Sequence, residues 1–232
     1  MADAKVFIVT GAAGNVGAAL TTLLTARGYL VAAIDRSAEA LAARFGEAGA
    51  AVHLAVADIA DPAAAQAAVA QVMATLGRLD GVAATVGTFA MAPVADSTPD
   101  LWERMLRVNL ISTLTVFAAA LPHLRVNGSG SLVAIAAGAA LRAPAGMAAY
   151  SASKSAVLRL VESLAEEAKG DRIRVNAVLP GTIDTPQNRA AMPDADPRHW
   201  VTPAQVAEVL AFLLSDASSG VTGAALGVPG LG

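Results

Sequence analysis

Tyr150 and Lys154 stand four residues apart in a stretch that reads as helix, so a phenol and an ammonium share one face. An ammonium beside a phenol favours phenolate. It lowers a pKa that otherwise sits near ~10 and prepares the group for proton transfer near neutrality. A second candidate for chemistry lies far upstream. Thr10-Gly-Ala-Ala-Gly-Asn-Val-Gly17 directly follows an apolar run. Glycines at such a strand-to-helix turn let a pyrophosphate approach a helix N-terminus, where free N–H groups and the dipole favour anions. Asp35, at the tip of the next apolar run, is the expected acceptor for an adenosine ribose hydroxyl, and its carboxylate repels the 2′-phosphate of NADP. Arg36 beside it offers that phosphate a partner, but no basic residue lies in the glycine loop, so NAD is expected over NADP. Each feature also has a plainer reading: a helix surface pair, a structural turn in an alanine-rich chain, a solvated turn residue.

Such groups need elements to hold them. Residues 6–9 read as a buried strand, 18–27 as a helix closing at Gly28, and 30–34 as a second strand ending at Asp35. Ser37 caps a helix through Phe45, and 52–57 make a third strand ending at Asp58. Asp61-Pro62 opens a helix ending near Gly77, and 79–86 is a fourth strand. A long helix over 99–124 carries Trp102, Met105, Leu106 and Leu110 on one face; Trp102 and Phe117 are read as core or subunit contacts. A fifth strand over 131–136, the helix 148–168 and a sixth strand over 173–178 follow. Then come a polar, proline-rich segment 182–203, a helix 203–215 and a last strand near Thr222-Gly223-Ala224. Strands alternating with helices, with runs apolar on both faces, predict a single-domain α/β fold over 1–232: a Rossmann-type, doubly wound parallel sheet. The 182–203 segment is the expected substrate lid.

Bulk composition narrows the function classes. The chain has 232 residues, 55% of them hydrophobic, and a net charge of −3 with scattered basic residues, so no nucleic-acid surface is expected. No run reaches the ~18 uninterrupted apolar residues of a membrane span, and Met-Ala-Asp-Ala-Lys lacks the pattern of a signal peptide. A cytoplasmic protein with no membrane partner is expected. Cysteine is absent, which excludes disulfides and thiol catalysis, and His53, His123 and His199 lack ligand spacing, so no metal is expected.

The ordered set of glycine turn, Asp35, Asp58, Asn109, Tyr-x3-Lys and Asn176-Ala-Val-Leu-Pro-Gly181 resembles the short-chain dehydrogenase/reductase family across essentially the whole chain. The resemblance implies an NAD-dependent oxidoreductase in which Tyr150 handles the proton. Lys154 would hold the nicotinamide ribose, and Asn109 would support a helix bulge and a water-linked relay. It places the cofactor against Gly11, Asn15, Val16, Gly17, Asp35, Asp58, Ile59, Ala84, Tyr150, Lys154, Pro180, Gly181, Ile183 and Thr185. It also implies a homodimer or homotetramer pairing through 99–124 and 148–168. Three positions depart from the family: Asn15 replaces the central glycine, Ala84-Thr-Val-Gly87 replaces the usual Asn-Asn-Ala-Gly, and Ala137 stands where a serine donor is expected. Alanine offers no side-chain hydrogen bond, a loss of several kcal/mol for simple ketone chemistry. The segments Ala137 to Tyr150 and Leu179 to Pro203 resemble the dihydropteridine reductase branch, which implies NADH and a conjugated, quinonoid dihydropterin-like acceptor. That branch's tryptophan after the fourth strand is not evident; Thr88-Phe89 stands there. Two alternatives stay open: a carbonyl/alcohol oxidoreductase of another small-molecule substrate, and a non-catalytic NAD-binding regulator. Trp200 and Met192 are read either as walls for a flat heterocycle or as lid packing, and Asn188, Arg189 and Asp196 as groups fixing the lid.

Overall fold

The computed structural model describes residues 4–46 and 49–230; Met1-Ala2-Asp3, part of the start segment read above, lie outside the described residues. The elements run β1 (Val6–Thr10), α1 (Asn15–Ala26), β2 (Leu30–Asp35), α2 (Ala38–Phe45), β3 (Val52–Val56), α3 (Pro62–Leu76) and β4 (Gly81–Ala84). They continue α4 (Pro99–Leu106), α5 (Ser112–Asn127), β5 (Gly130–Ile135), α6 (Ala148–Ala168), β6 (Ile173–Pro180), α7 (Pro186–Ala191), α8 (Pro203–Leu214) and β7 (Ala225–Val228). The seven strands form one parallel sheet in the order β3-β2-β1-β4-β5-β6-β7.

Alternation along β1 divides the core. Val6 and Ile8 face a layer containing Val69 and Val72 of α3, Phe117 and Leu124 of α5, and Val157 and Val161 of α6. Phe7 and Val9 face the opposite layer, with Leu20 and Leu24 of α1, Leu41 of α2, and Val206 and Leu210 of α8. Successive strand residues point to opposite faces, and here both faces are covered, so each run must be apolar throughout. The order reverses between β1 and β4, which opens a crevice at the carboxyl ends of these strands, the place where open α/β sheets bind ligands.

Several boundaries differ from those the sequence predicts, each for a local reason. α1 begins at Asn15, within the glycine turn, and Gly28 follows the C-cap Arg27 at φ +83°. β4 is shorter than 79–86: the Asp80 carboxylate accepts from the Val6 N–H at 2.8 Å before the strand starts, and Thr85 leaves the ladder to donate to the Thr10 carbonyl at 2.7 Å. The long helix is broken by a π-turn over 107–111 centred on Asn109. By length and composition the helical stretch Pro99–Asn127 matches a membrane span, yet Val116, Phe117, Ala120 and Leu124 turn into the sheet core. The last strand is β7, after the expected Thr222–Ala224. Those three residues bond to β6 first: Thr222 Oγ1 accepts from Val175 N at 3.1 Å, and Ala224 N donates to Asn176 Oδ1 at 3.0 Å. The 182–203 segment is not irregular throughout: it holds α7 and a bridge between Ile183 and Val201.

Candidate active site

The glycine loop leaves β1 and enters α1 with no room for side chains at its first and last glycines. Gly11 has φ +63°, and a Cβ there would lie 3.0 Å from Val86 N; at Gly17 it would lie 2.3 Å from the Gly11 carbonyl oxygen. The N-cap is Gly14, with no side chain capping the helix and no acidic residue in its first turn, so the N–H groups of Asn15, Val16 and Gly17 are available to an anion. Asp35 is half-buried at the tip of β2. Its carboxylate accepts from Ala13 N at 3.2 Å and Ser37 N at 3.3 Å, which ties it to the glycine loop and leaves it partly open to the cleft. A cleft of about 410 Å³ runs from Gly11, Gly14 and Asp35 past Asp58 and Ile59 to Gly87 and Thr88. The loop, the open helix end and Asp35 fit a dinucleotide laid from adenosine to pyrophosphate.

Beside Gly87 and Thr88, which wall the cleft, stand Asn109 and Lys154 of the expected proton-handling set. The π-turn brings Asn109, fully buried, against the strand-4 loop: Oδ1 accepts from Thr88 N at 2.8 Å, while Nδ2 donates to Thr88 O at 3.1 Å and to Ser153 Oγ at 2.9 Å. Ser153 Oγ in turn donates to the Tyr150 carbonyl at 2.7 Å. Asn109 and Lys154 converge on Gly87, where an added Cβ would lie 3.3 Å from both Asn109 Oδ1 and Lys154 Nζ. Lys154 is 3% exposed and donates to the Ile135 carbonyl at 2.8 Å. Burial lowers its pKa to about 8, so near neutrality it remains largely an ammonium. The structure corrects the expectation of a depressed tyrosine. Burial pushes the Tyr150 phenol above its ordinary value, and the Lys154 charge is turned toward Ile135 O.

Other expected contacts divide. Asp58 lines the cleft, but its carboxylate also meets the Arg107 guanidinium at 3.4 Å, and Ile59 is buried behind it. Ala84 is buried in the core layer at the end of β4, and Thr85, Val86, Gly87 and Thr88 wall the cleft beyond it. Pro180 ends β6 buried. Gly181 follows with its place for a Cβ filled by Pro229 O at 2.5 Å, so that glycine serves the chain's return to the sheet. Ile183 packs partly against the core, and Thr185 Oγ1 accepts from Asn188 N to cap α7. Within 182–203, Asn188 donates to Ile183 O at 2.7 Å, Arg189 pairs with Asp184, and Asp196 with Arg198, the local bonds the sequence suggested for these groups. Asn15, the departure from a central glycine, donates to Gln187 Oε1 at 3.0 Å and joins the loop to α7. Ala137 sits 7% exposed at the end of β5, where it begins a tight turn over 138–140.

Sequence reading missed Ser153 and Phe89 as site groups. Ser153, one turn after Tyr150, carried the helical-spacing signal. Phe89 carried none, since its ring reaches Tyr150 edge-on, centroids 4.9 Å apart, only through the path of the loop after β4.

A parallel sheet with a glycine-rich first crossover, an acid at the end of β2 and a half-buried Tyr150 beside buried Lys154 and Asn109 defines a nicotinamide-dependent oxidoreductase. The chain belongs to the short-chain dehydrogenase family, whose model matches residues 5–196. It is 37% identical to the 2-(R)-hydroxypropyl-CoM dehydrogenase of Xanthobacter autotrophicus, over 97% of each chain. It is 33% identical to the D-threitol dehydrogenase of Mycolicibacterium smegmatis, covering 98% of this chain and 92% of that one. Among solved structures, NAD+-bound xylitol dehydrogenase superposes with a TM-score of 0.87 at 29% identity, over 97% of this chain and 98% of that one. The protein is an NAD(P)-dependent oxidoreductase of this family, acting on a small molecule.

Proposed function

We propose that the protein is an NAD-dependent carbonyl/alcohol oxidoreductase in which Tyr150 exchanges the proton at the substrate oxygen. The observation that carries this reading is the convergence of Asn109 and Lys154 on Gly87 at one end of a cleft whose other end is Asp35. Bound NAD(H) supplies or accepts a hydride at its nicotinamide. Gly11, the α1 N-terminus and Asp35 hold its pyrophosphate and adenosine ribose; Asp35 disfavours a 2′-phosphate and so favours NAD over NADP. Tyr150 gives its proton to a carbonyl oxygen during reduction and takes one from an alcohol during oxidation. Lys154 keeps a positive charge beside the nicotinamide end, and Asn109 fixes Thr88 and Ser153 around it. The 182–203 segment covers the substrate, pinned at its start by Asn15–Gln187. Assembly as a homodimer or homotetramer, pairing through the helices over 99–124 and 148–168, is part of this reading.

A second reading, reduction of a conjugated quinonoid acceptor, is favoured by Ala137: such an acceptor delocalises the charge left by hydride addition, so a hydroxyl donor matters less. The alcohol and sugar-alcohol relatives support the first reading more. Oxidation of NADH and of NADPH, followed at 340 nm with a ketone panel and with a quinonoid dihydropterin, separates them. Ketone turnover that falls at least about hundredfold in Tyr150→Phe supports the first. Turnover of the dihydropterin alone removes it, and no turnover of anything by protein that still binds NADH points to the non-catalytic alternative.

A further inference from the structure

Apolar side chains stand exposed on the loops around Tyr150, and we propose that the substrate is an uncharged ketone or secondary alcohol whose bulky apolar substituent lies against Phe89. This rests on the oxidoreductase reading above. Phe89 packs edge-on against Tyr150, with the rings at 79°, yet stays 52% exposed, an aromatic surface presented beside the proton-handling group. It is not alone. Of nine exposed large hydrophobic side chains among the described residues, five (Phe89, Met91, Val94, Leu141 and Met192) belong to the segments that follow β4, β5 and β6. These segments leave the carboxyl edge of the sheet, where the cleft opens.

Two of the segments form a single surface. Ala92 N donates to Gly146 O at 2.8 Å, and the Met91 methyl lies 3.5 Å from where a Cβ on Gly146 would be. Charge is scarce on that surface: residues 87–97 contain only Asp96, and 137–147 only Arg142. In the lid segment both guanidiniums are committed, Arg189 to Asp184 and Arg198 to Asp196. A carboxylate, phosphate or sulfonate entering here would lose hydration and find few cations to replace it. An aromatic or alkyl group would instead cover exposed apolar area, in contacts that favour edge-to-face stacking on Phe89.

The test compares 4-phenylbutan-2-one with 4-(4-carboxyphenyl)butan-2-one, which differ by one carboxylate, and with butan-2-one, which lacks the ring. kcat/KM for the neutral phenyl ketone is expected to exceed that of the carboxylated one at least about tenfold. Phe89→Ala is expected to raise KM for the phenyl ketone about tenfold while moving KM for butan-2-one less than about twofold. The ratio of the two KM values is independent of the fraction of variant that folds. Equal or faster turnover of the carboxylated ketone overturns the proposal, as does a Phe89→Ala variant whose two KM values rise together. Calorimetric titration of the NADH-loaded protein separates this from the parent reading. If no ketone is turned over but the neutral phenyl ketone binds at least tenfold more tightly than the carboxylated one, the apolar site stands and hydride transfer to ketones falls.

Discussion

Gly17→Ala offers the sharpest test of how the glycine loop holds the cofactor. An ideal Cβ at this position lies 2.3 Å from Gly11 O, 2.8 Å from Ala12 Cα and 2.9 Å from Gly11 C, all backbone atoms. Carbon contacts are comfortable only at roughly 3.5 Å or more, so the first turn of α1 and the loop must separate by about 1 Å. The open N–H groups of the α1 terminus, proposed to face the pyrophosphate, move with them. Losing a hydrogen bond or two to a charged phosphate costs about 1.5–3 kcal/mol each, so the Kd for NADH, followed by its fluorescence enhancement, is expected to rise about a hundredfold or more, about 2.7 kcal/mol. Gly14→Ala, whose Cβ would sit 3.1 Å from Gly11 O, should show a smaller loss. Gly170→Ala, where a Cβ meets nothing within 4 Å, should bind NADH as the parent does. Thermal melts establish that each variant is folded at the titration temperature. A folded Gly17→Ala protein that binds NADH within threefold of the parent refutes the argument that backbone approach at this turn forms the site.

Three further outcomes follow from the same geometry. Ala137→Ser restores a hydroxyl donor at the end of β5 and is expected to raise kcat/KM on ketones by ten- to a hundredfold; an unchanged or lower value means another group already fills that role. Lys154 gives up its proton near pH 8 in the folded protein but only near 10.5 when unfolded, so between those values the unfolded chain holds more protons and stability rises with pH, by about 3 kcal/mol at the limit. Urea midpoints from pH 7.5 to 10 should show that rise in the parent, and a Lys154→Met variant should lack it. Asn15→Ala removes the 3.0 Å link to Gln187, an exposed bond, so the melting temperature should move by little while proteolysis within 182–203 accelerates; equal digestion rates would show that the link does not hold the lid.

Much of the site was legible before any coordinates. Tyr150 and Lys154 are one helical turn apart, and helix geometry alone puts them on one face. The glycine turn and Asp35 were fixed by position at strand ends, because a parallel strand must be followed by a crossover that begins where ligands bind. The electrostatics were not legible. Helix spacing suggested that Lys154 would depress the Tyr150 pKa, but which carbonyl the ammonium finds and how far each group is desolvated depend on β5 and on the loop after β4. Where the cleft wall begins was not legible for a related reason: β4 ends at Ala84, and the wall starts one residue later because Thr85 turns back to Thr10. The π-turn at Asn109, which the family resemblance anticipated as a bulge, breaks a stretch whose periodicity by itself reads as continuous helix.

The sequence by itself determined the parallel α/β architecture, the order of its elements, the family, and the placement of the Tyr150–Lys154 pair on one helix face and of the glycine loop at the first strand end, since these follow from local periodicity and motif order. Tertiary structure alone decided that Asn109 and Lys154 meet over Gly87, that Asn15 reaches Gln187 across 172 positions of chain, and that Phe89 lies edge-on to Tyr150. Those contacts join residues remote in sequence or set on an irregular loop, where no periodicity records the path of the chain and only the packing of the whole sheet fixes which side chains come into reach.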